Sequence, residues 1–135
     1  NTLQEKKTFV GHGLSSNVVC YSPDGKFLLT GGRDAHLNIW KVENYEMTQS
    51  IAAHDGAIYD IAYSPNSDLF ATASRDKTVK IWDAKTFQLL EVLNKEDYDG
   101  HQYSVNKLIW STYNNYLISA GDDRTIIVWE INQLS

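Results

Sequence analysis

Apolar side chains along this chain fall in short alternating runs rather than in helical stripes. Val19 and Tyr21 share one face of such a run, as do Ile61 and Tyr63, and Leu108 and Trp110. Alternation with period two predicts half-buried strands. A turn signal follows each run: Ser22-Pro23-Asp24-Gly25, Ser64-Pro65-Asn66-Ser67 and Ser111-Thr112-Tyr113-Asn114. Pro presets φ for a turn, and Asp-Gly or Asn tolerates the left-handed position that closes it. Second strands are predicted over 27–31, 69–73 and 116–120, and third strands over 37–40, 79–82 and 126–129. A fourth, less regular strand is expected near 47–51 and 89–93. Strands this short and amphipathic do not hold as isolated sheets, so stacked neighbours must bury their faces.

The predicted strands recur because the chain aligns with itself. When His12, His54 and His101 are superposed, Trp40, Trp82 and Trp129 each stand 28 residues further on. Asp34, Asp76 and Asp123 each stand 22 residues on, and Thr30, Thr72 and Ser119 each stand 18 on. Four residue types at fixed offsets, three times without a gap, mark a repeat architecture. The histidines are spaced 42 and 47 residues apart, and the five extra residues belong to the acidic insert Lys95-Glu96-Asp97-Tyr98-Asp99. The repeats run over about 10–52, 53–94 and 100–131.

These residues resemble the WD-repeat β-propeller family. Gly11-His12, Gly100-His101 and Trp82-Asp83 match its signature positions, and the resemblance covers about 3–130. The departures are Ala53-His54 in place of Gly-His, and Trp40-Lys41 and Trp129-Glu130 in place of Trp-Asp. Ser16 also stands where the other units carry Ile58 and Val105, which weakens strand packing in the first unit. The resemblance implies an all-β propeller built of four-stranded antiparallel blades, with three repeats present.

His, Asp and Ser or Thr recurring together invite comparison with a nucleophilic triad, which needs an exposed nucleophile beside an oxyanion site. Here the set occurs three times, each with a Trp attached, and no Gly-x-Ser-x-Gly elbow accompanies it. One catalytic site has no reason to be copied at every repeat, whereas a structural device does. By resemblance, His12–Thr30–Asp34–Trp40, His54–Thr72–Asp76–Trp82 and His101–Ser119–Asp123–Trp129 form a buried hydrogen-bonded tetrad in each blade. A non-catalytic role is therefore expected. His36 stands outside the scheme and is expected in a turn, solvated.

Composition narrows the choice of partners. Twelve basic against seventeen acidic side chains leave a net charge of −5, and no Lys/Arg run marks a nucleic-acid or anionic-membrane patch. No nucleic-acid or membrane partner is expected. Cys20 is the only cysteine, so no internal disulfide or cysteine metal cluster can form; with three histidines committed, neither a metal nor a cofactor is expected. Asn1–Lys7 is polar, unlike a secretory signal, and no stretch approaches the length of a membrane span, so an intracellular, cytoplasmic setting is expected. Gly31-Gly32 opens no helix and is expected to mark close packing or a bulge rather than a phosphate loop. The acidic insert is expected to be a solvated loop.

The resemblance implies that partner contacts lie at three offsets from each histidine. Those positions are Ser15, Asn17 and Arg33; Ala57, Tyr59 and Arg75; Ser104, Asn106 and Asp122. Tyr and Arg are enriched at binding hot spots, so Tyr59, Arg33 and Arg75 lead, with Asn17, Asn106 and Asp122 beside them. Two arginines on an acidic protein suggest a partner carrying a carboxylate or phosphate. The expected function is a scaffold presenting its rim to peptide or protein partners; the alternative is a regulatory or substrate-recruiting subunit of an enzyme complex. Counting strands, Leu3–Phe9 reads as the outer strand of a preceding blade, and the third unit lacks an outer strand of its own. Propellers hold about 4–8 blades, so the expectation is a piece of a longer propeller or a homo-oligomer joined head to tail.

Overall fold

Alternation, turns and repeat translate into three antiparallel sheets in the computed structural model, which describes residues 2–132. The first blade holds β1 (Ser16–Tyr21), β2 (Phe27–Gly32), β3 (His36–Lys41) and β4 (Met47–Ala52), hydrogen-bonded in that order. The second holds β5 (Ile58–Tyr63), β6 (Leu69–Ser74), β7 (Val79–Asp83) and β8 (Leu89–Leu93). A short helix, α1 (Lys95–Tyr98), leads to a third sheet of β9 (Val105–Trp110), β10 (Tyr116–Gly121) and β11 (Ile126–Glu130). Among the described residues the third sheet has three strands.

Local chemistry explains the hairpins. Ser22 Oγ donates to Asp24 Oδ1 at 2.7 Å while accepting the Phe27 N–H, and Ser64 does the same with Asn66 Oδ1 and the Leu69 N–H. The left-handed residue that closes the turn is Gly25 in the first blade, at φ 75°, and Ser67 and Asn115 in the others. Each first strand carries one extra residue against its neighbour, since the pairing register shifts across Asn17, across Tyr59 and across Asn106. Such a bulge re-aims the unpaired side chain and bends the strand.

The core lies between blades. Leu29, Leu37 and Ile39 of the first blade pack against Ile58, Ile61, Phe70 and Trp82 of the second. Ala71, Ala73, Val79, Ile81 and Leu93 on its opposite face meet Val105, Leu108 and Leu117 of the third. Burying each large apolar side chain stabilises by about 1.5–3 kcal/mol, so no blade here stands alone. Gly31 is where the first two blades come closest. A Cβ there would lie 2.6 Å from Ile58 Cγ2, which accounts for glycine at a strand position.

Four expectations are refined. His36 is not in a turn: it opens β3, half-buried, with Nδ1 3.0 Å from Ser50 Oγ. The tight turn Arg33-Asp34-Ala35 leaves no room for it, because Ala35 already takes the left-handed φ of 68°. The acidic insert is a capped helical turn rather than a loop, with Asn94 Oδ1 accepting the Asp97 N–H at 2.8 Å. Residues 3–9 find no strand partner among the described residues, although the Phe9 ring packs tilted against Trp40 at 4.8 Å. Ser16 is exposed where Ile58 and Val105 are wholly buried, because those two pack on a preceding blade and Ser16 meets none among the described residues.

Candidate functional site

In each blade four side chains form one hydrogen-bonded chain. Trp82 Nε1–H donates to Thr72 Oγ1 at 2.9 Å, His54 Nε2 lies 2.7 Å from the same hydroxyl, and His54 Nδ1 lies 2.8 Å from Asp76 Oδ2. The first blade repeats this through Trp40, Thr30, His12 and Asp34, and the third through Trp129, Ser119, His101 and Asp123. Polarity fixes the protons. An indole N–H can only donate and a carboxylate only accept, so the hydroxyl receives from Trp and donates to His Nε2, while His Nδ1–H donates to Asp. The neutral Nδ1–H tautomer follows; a protonated ring would leave the hydroxyl hydrogen without an acceptor. The hydroxyls of Thr30, Thr72 and Ser119 are buried, so none can reach a substrate as a nucleophile.

The offset positions of the rim meet at one end of the sheets. Arg33 N–H donates to Ser15 O, Arg75 N–H to Ala57 O, and Asp122 N–H to Ser104 O, each at 2.8–2.9 Å. The bulged residue Asn17, Tyr59 or Asn106 stands beside each pair. Not all six candidates are equally free. Asn17 Nδ2 donates to Ile58 O at 3.2 Å, bridging the first two blades, and Asn106 Nδ2 donates to Asp122 Oδ1 at 2.6 Å. Tyr59 is half-buried. Arg33 and Arg75 are exposed and make no ion pair among the described residues.

The family model described as "WD domain, G-beta repeat" matches residues 3–41, 45–83 and 92–130. The chain belongs to the WD-repeat family. Its relatives include a subunit of chromatin assembly factor 1 from Mus musculus, 27% identical over 128 residues, which cover 90% of this chain and 17% of that protein. The general transcriptional corepressor TUP1 of Saccharomyces cerevisiae is 44% identical over 43 residues, covering 32% of this chain and 6% of that protein. Among solved structures, one described as "Structure of U3-55K" superposes with a TM-score of 0.80 at 25% identity, covering 89% of this chain and 37% of that one. The chain thus spans a minor part of the relatives it matches. WD-repeat folds serve broadly as non-catalytic scaffolds for protein interactions.

Each WD blade uses its aspartate for more than the tetrad. Asp76 also accepts from the Asp55 N–H, the Thr78 N–H and Thr78 Oγ1, and Asp123 accepts from the Gln102 N–H and both Thr125 groups. Thr78 and Thr125 are a fifth member that the tetrad pattern misses. The signal was there, since both stand 24 residues beyond their histidine. The first blade has His36 at that place, so Asp34 receives only the His36 and Gly13 N–H groups besides His12.

Burial pushes the Asp76 carboxyl up, but the His54 hydrogen bond, helped by the Thr78 hydroxyl and the Asp55 N–H, outweighs it and holds it well below the usual carboxylate range. Asp123 is held down likewise, burial being opposed first by the Thr125 hydroxyl. A carboxyl whose folded pKa lies below its unfolded value of about 3.9 contributes stability above that value, and loses it as pH falls through the folded pKa. Through these carboxyls, urea midpoints should fall steeply below about pH 4. Asp76→Asn should flatten part of that fall. A variant whose midpoint drops in parallel with the parent would place the linkage elsewhere. Among the described residues no helix is long and apolar enough to cross a membrane.

Proposed function

We propose that this chain recruits a protein partner through the rim that carries Arg33, Arg75 and Tyr59, with no chemistry of its own. The reading rests on one observation above others: two exposed guanidinium groups stand at equivalent rim positions of adjacent blades, without ion-pair partners among the described residues. Arg pairs carboxylates and phosphates bidentately, so the complementary segment is an acidic or phosphorylated peptide. Tyr59 supplies an aromatic surface between them in sequence, while Asn17, Asn106 and Asp122 serve mainly to hold the rim in shape. No Lys/Arg run provides the extended basic track that a nucleic-acid backbone needs, so a short acidic segment fits two arginines better. The two mutually satisfied residues Asn106 and Asp122 leave the third blade with no cationic group at this level, so recognition centres on the first two blades.

One relative is named as part of a chromatin assembly factor, which favours a second form of the same reading, a recruiting subunit within a larger complex. An intracellular setting belongs to the proposal, and relatives named for chromatin assembly and transcriptional repression favour the nucleus over the cytoplasm. The test is an array of acidic, phosphorylated and neutral peptides probed with the chain and with Arg33→Glu/Arg75→Glu. Binding should be confined to acidic or phosphorylated sequences, weaken with salt, and fall at least about tenfold in the variant, which is roughly 1.4 kcal/mol. Both proteins should melt alike in urea, since exposed side chains are replaced. Binding that survives charge reversal would move the functional surface elsewhere, with the insert around Tyr98 next in line.

A further inference from the structure

The three blades present different charges at one and the same rim position. Arg33, Arg75 and Asp122 each stand 21 residues beyond the histidine of their blade. The backbone holds them alike, their N–H groups donating to Ser15 O, Ala57 O and Ser104 O at 2.8, 2.9 and 2.9 Å. All three residues are exposed, and none forms an ion pair among the described residues. Along adjacent blades the position therefore runs plus, plus, minus. The hydrogen bond from Asn106 Nδ2 fixes the Asp122 carboxylate without neutralising it, since an amide carries no charge. The turn position two residues further on does not separate the second blade from the third. Lys77 and Arg124 put a cation on both, and Asp55, on the loop entering the second blade, forms no ion pair with Arg75.

Spacing converts this pattern into a register. Stacked sheets pack about 10 Å apart and an extended chain advances about 3.3 Å per residue, so equivalent positions on adjacent blades are about three residues apart.

We propose that the rim reads opposite charges in order: a partner segment sets two acidic residues on Arg33 and Arg75 and a basic residue on Asp122, each about three residues from the next. This register rests on the rim reading above and adds a selecting charge to it. Arg33 and Arg75 alone accept any acidic run. Asp122 attracts the basic residue and rejects a run that stays acidic over the third blade, because like charges brought together at an interface are costly. A uniformly anionic backbone meets the same repulsion.

The test is fluorescence anisotropy of the intact chain with labelled, end-blocked peptides. Glu-Ser-Ser-Glu-Ser-Ser-Lys and its reverse carry the base at one end, Glu-Ser-Ser-Lys-Ser-Ser-Glu has the same composition with the base in the middle, and Glu-Ser-Ser-Glu-Ser-Ser-Glu has none. One of the two end-base peptides should bind about tenfold tighter than the middle-base peptide, and the advantage should shrink with added salt. Asp122→Asn keeps an acceptor for Asn106 without the charge, and should bring the all-acidic peptide level with the end-base one. Asp122→Arg should make the all-acidic peptide the tightest binder. Urea midpoints close to the parent's would show that the variants keep their fold, and the asparagine variant serves if the arginine one does not. End-base and middle-base peptides that bind alike, both still weakened by Arg33→Glu/Arg75→Glu, would overturn the register and leave the two arginines as the binding site. Order preference that survives Asp122→Asn would overturn the assignment to Asp122. Binding that ignores the arginines would overturn the rim reading and the register together.

Discussion

Replacing Asp76 with alanine should lower the stability of this domain by about 2–4 kcal/mol, because it strands several donors at once. The carboxylate closes the turn before β7 through the Thr78 N–H and hydroxyl, ties down the Asp55 N–H, and holds the His54 ring in place. With it gone, His54 Nδ1–H points into a buried site without an acceptor, and the grip on the Thr72 hydroxyl and Trp82 indole loosens in turn. A buried network is worth more complete than the sum of its pairs, so the loss should exceed that of one hydrogen bond. The three blades should rank. Asp34 is more exposed than Asp76 and has no threonine hydroxyl donating to it, so Asp34→Ala should cost less. His36→Ala removes only the contact with Ser50 and should cost about 0.5–1.5 kcal/mol. Urea melts of the three variants decide the matter. Matching midpoints for Asp76→Ala and His36→Ala would mean that the tetrad carries no stability.

What could be read from the sequence was whatever repeats or alternates. Strand positions followed from period two, and the fixed offsets named in advance the side chains that the hydrogen bonds join in each blade. Boundaries were less legible, and His36 shows why. A turn of Arg33-Asp34-Ala35 is shorter than its polar composition suggests, since a non-glycine residue accepts the left-handed conformation to close it. The acidic insert misled for a similar reason. Four charged and aromatic residues read as solvated loop, yet Asn94 and Asp97 reciprocate as a capping pair and wind one turn of helix. Thr78 and Thr125 escaped because threonine after a turn is ordinary in a strand, and only its place 24 residues beyond the histidine sets it apart. How free each rim residue is could not be read at all. Asn17 and Asn106 offered the same chemistry in sequence, but one bridges two blades and the other pairs with Asp122.

Truncating Phe70 to alanine should be at least as damaging, at about 3–5 kcal/mol, and it should act on one joint rather than on one blade. Phe70 is wholly buried where the first and second blades meet. Its ring lies parallel to the Trp82 indole at 6.0 Å and also packs on Tyr63 at 5.4 Å and Phe87 at 6.0 Å. Three aromatic neighbours cannot all move into the space a phenyl ring leaves, so a cavity remains and adds to the lost transfer free energy. The joint between the second and third blades contains no part of this cluster. Stacked repeats are held by nearest-neighbour interfaces, which makes the loss local. Amide exchange in Phe70→Ala should accelerate most in β1 to β4, now weakly attached, and least in β9 to β11. Phe70→Leu should recover much of the stability by refilling the space, and Tyr113→Ala, at an exposed site, should stay within about 0.5 kcal/mol of the parent. Uniform loss of protection across all three sheets would show instead that the blades unfold as a single cooperative unit, and that the aromatic cluster serves the whole stack.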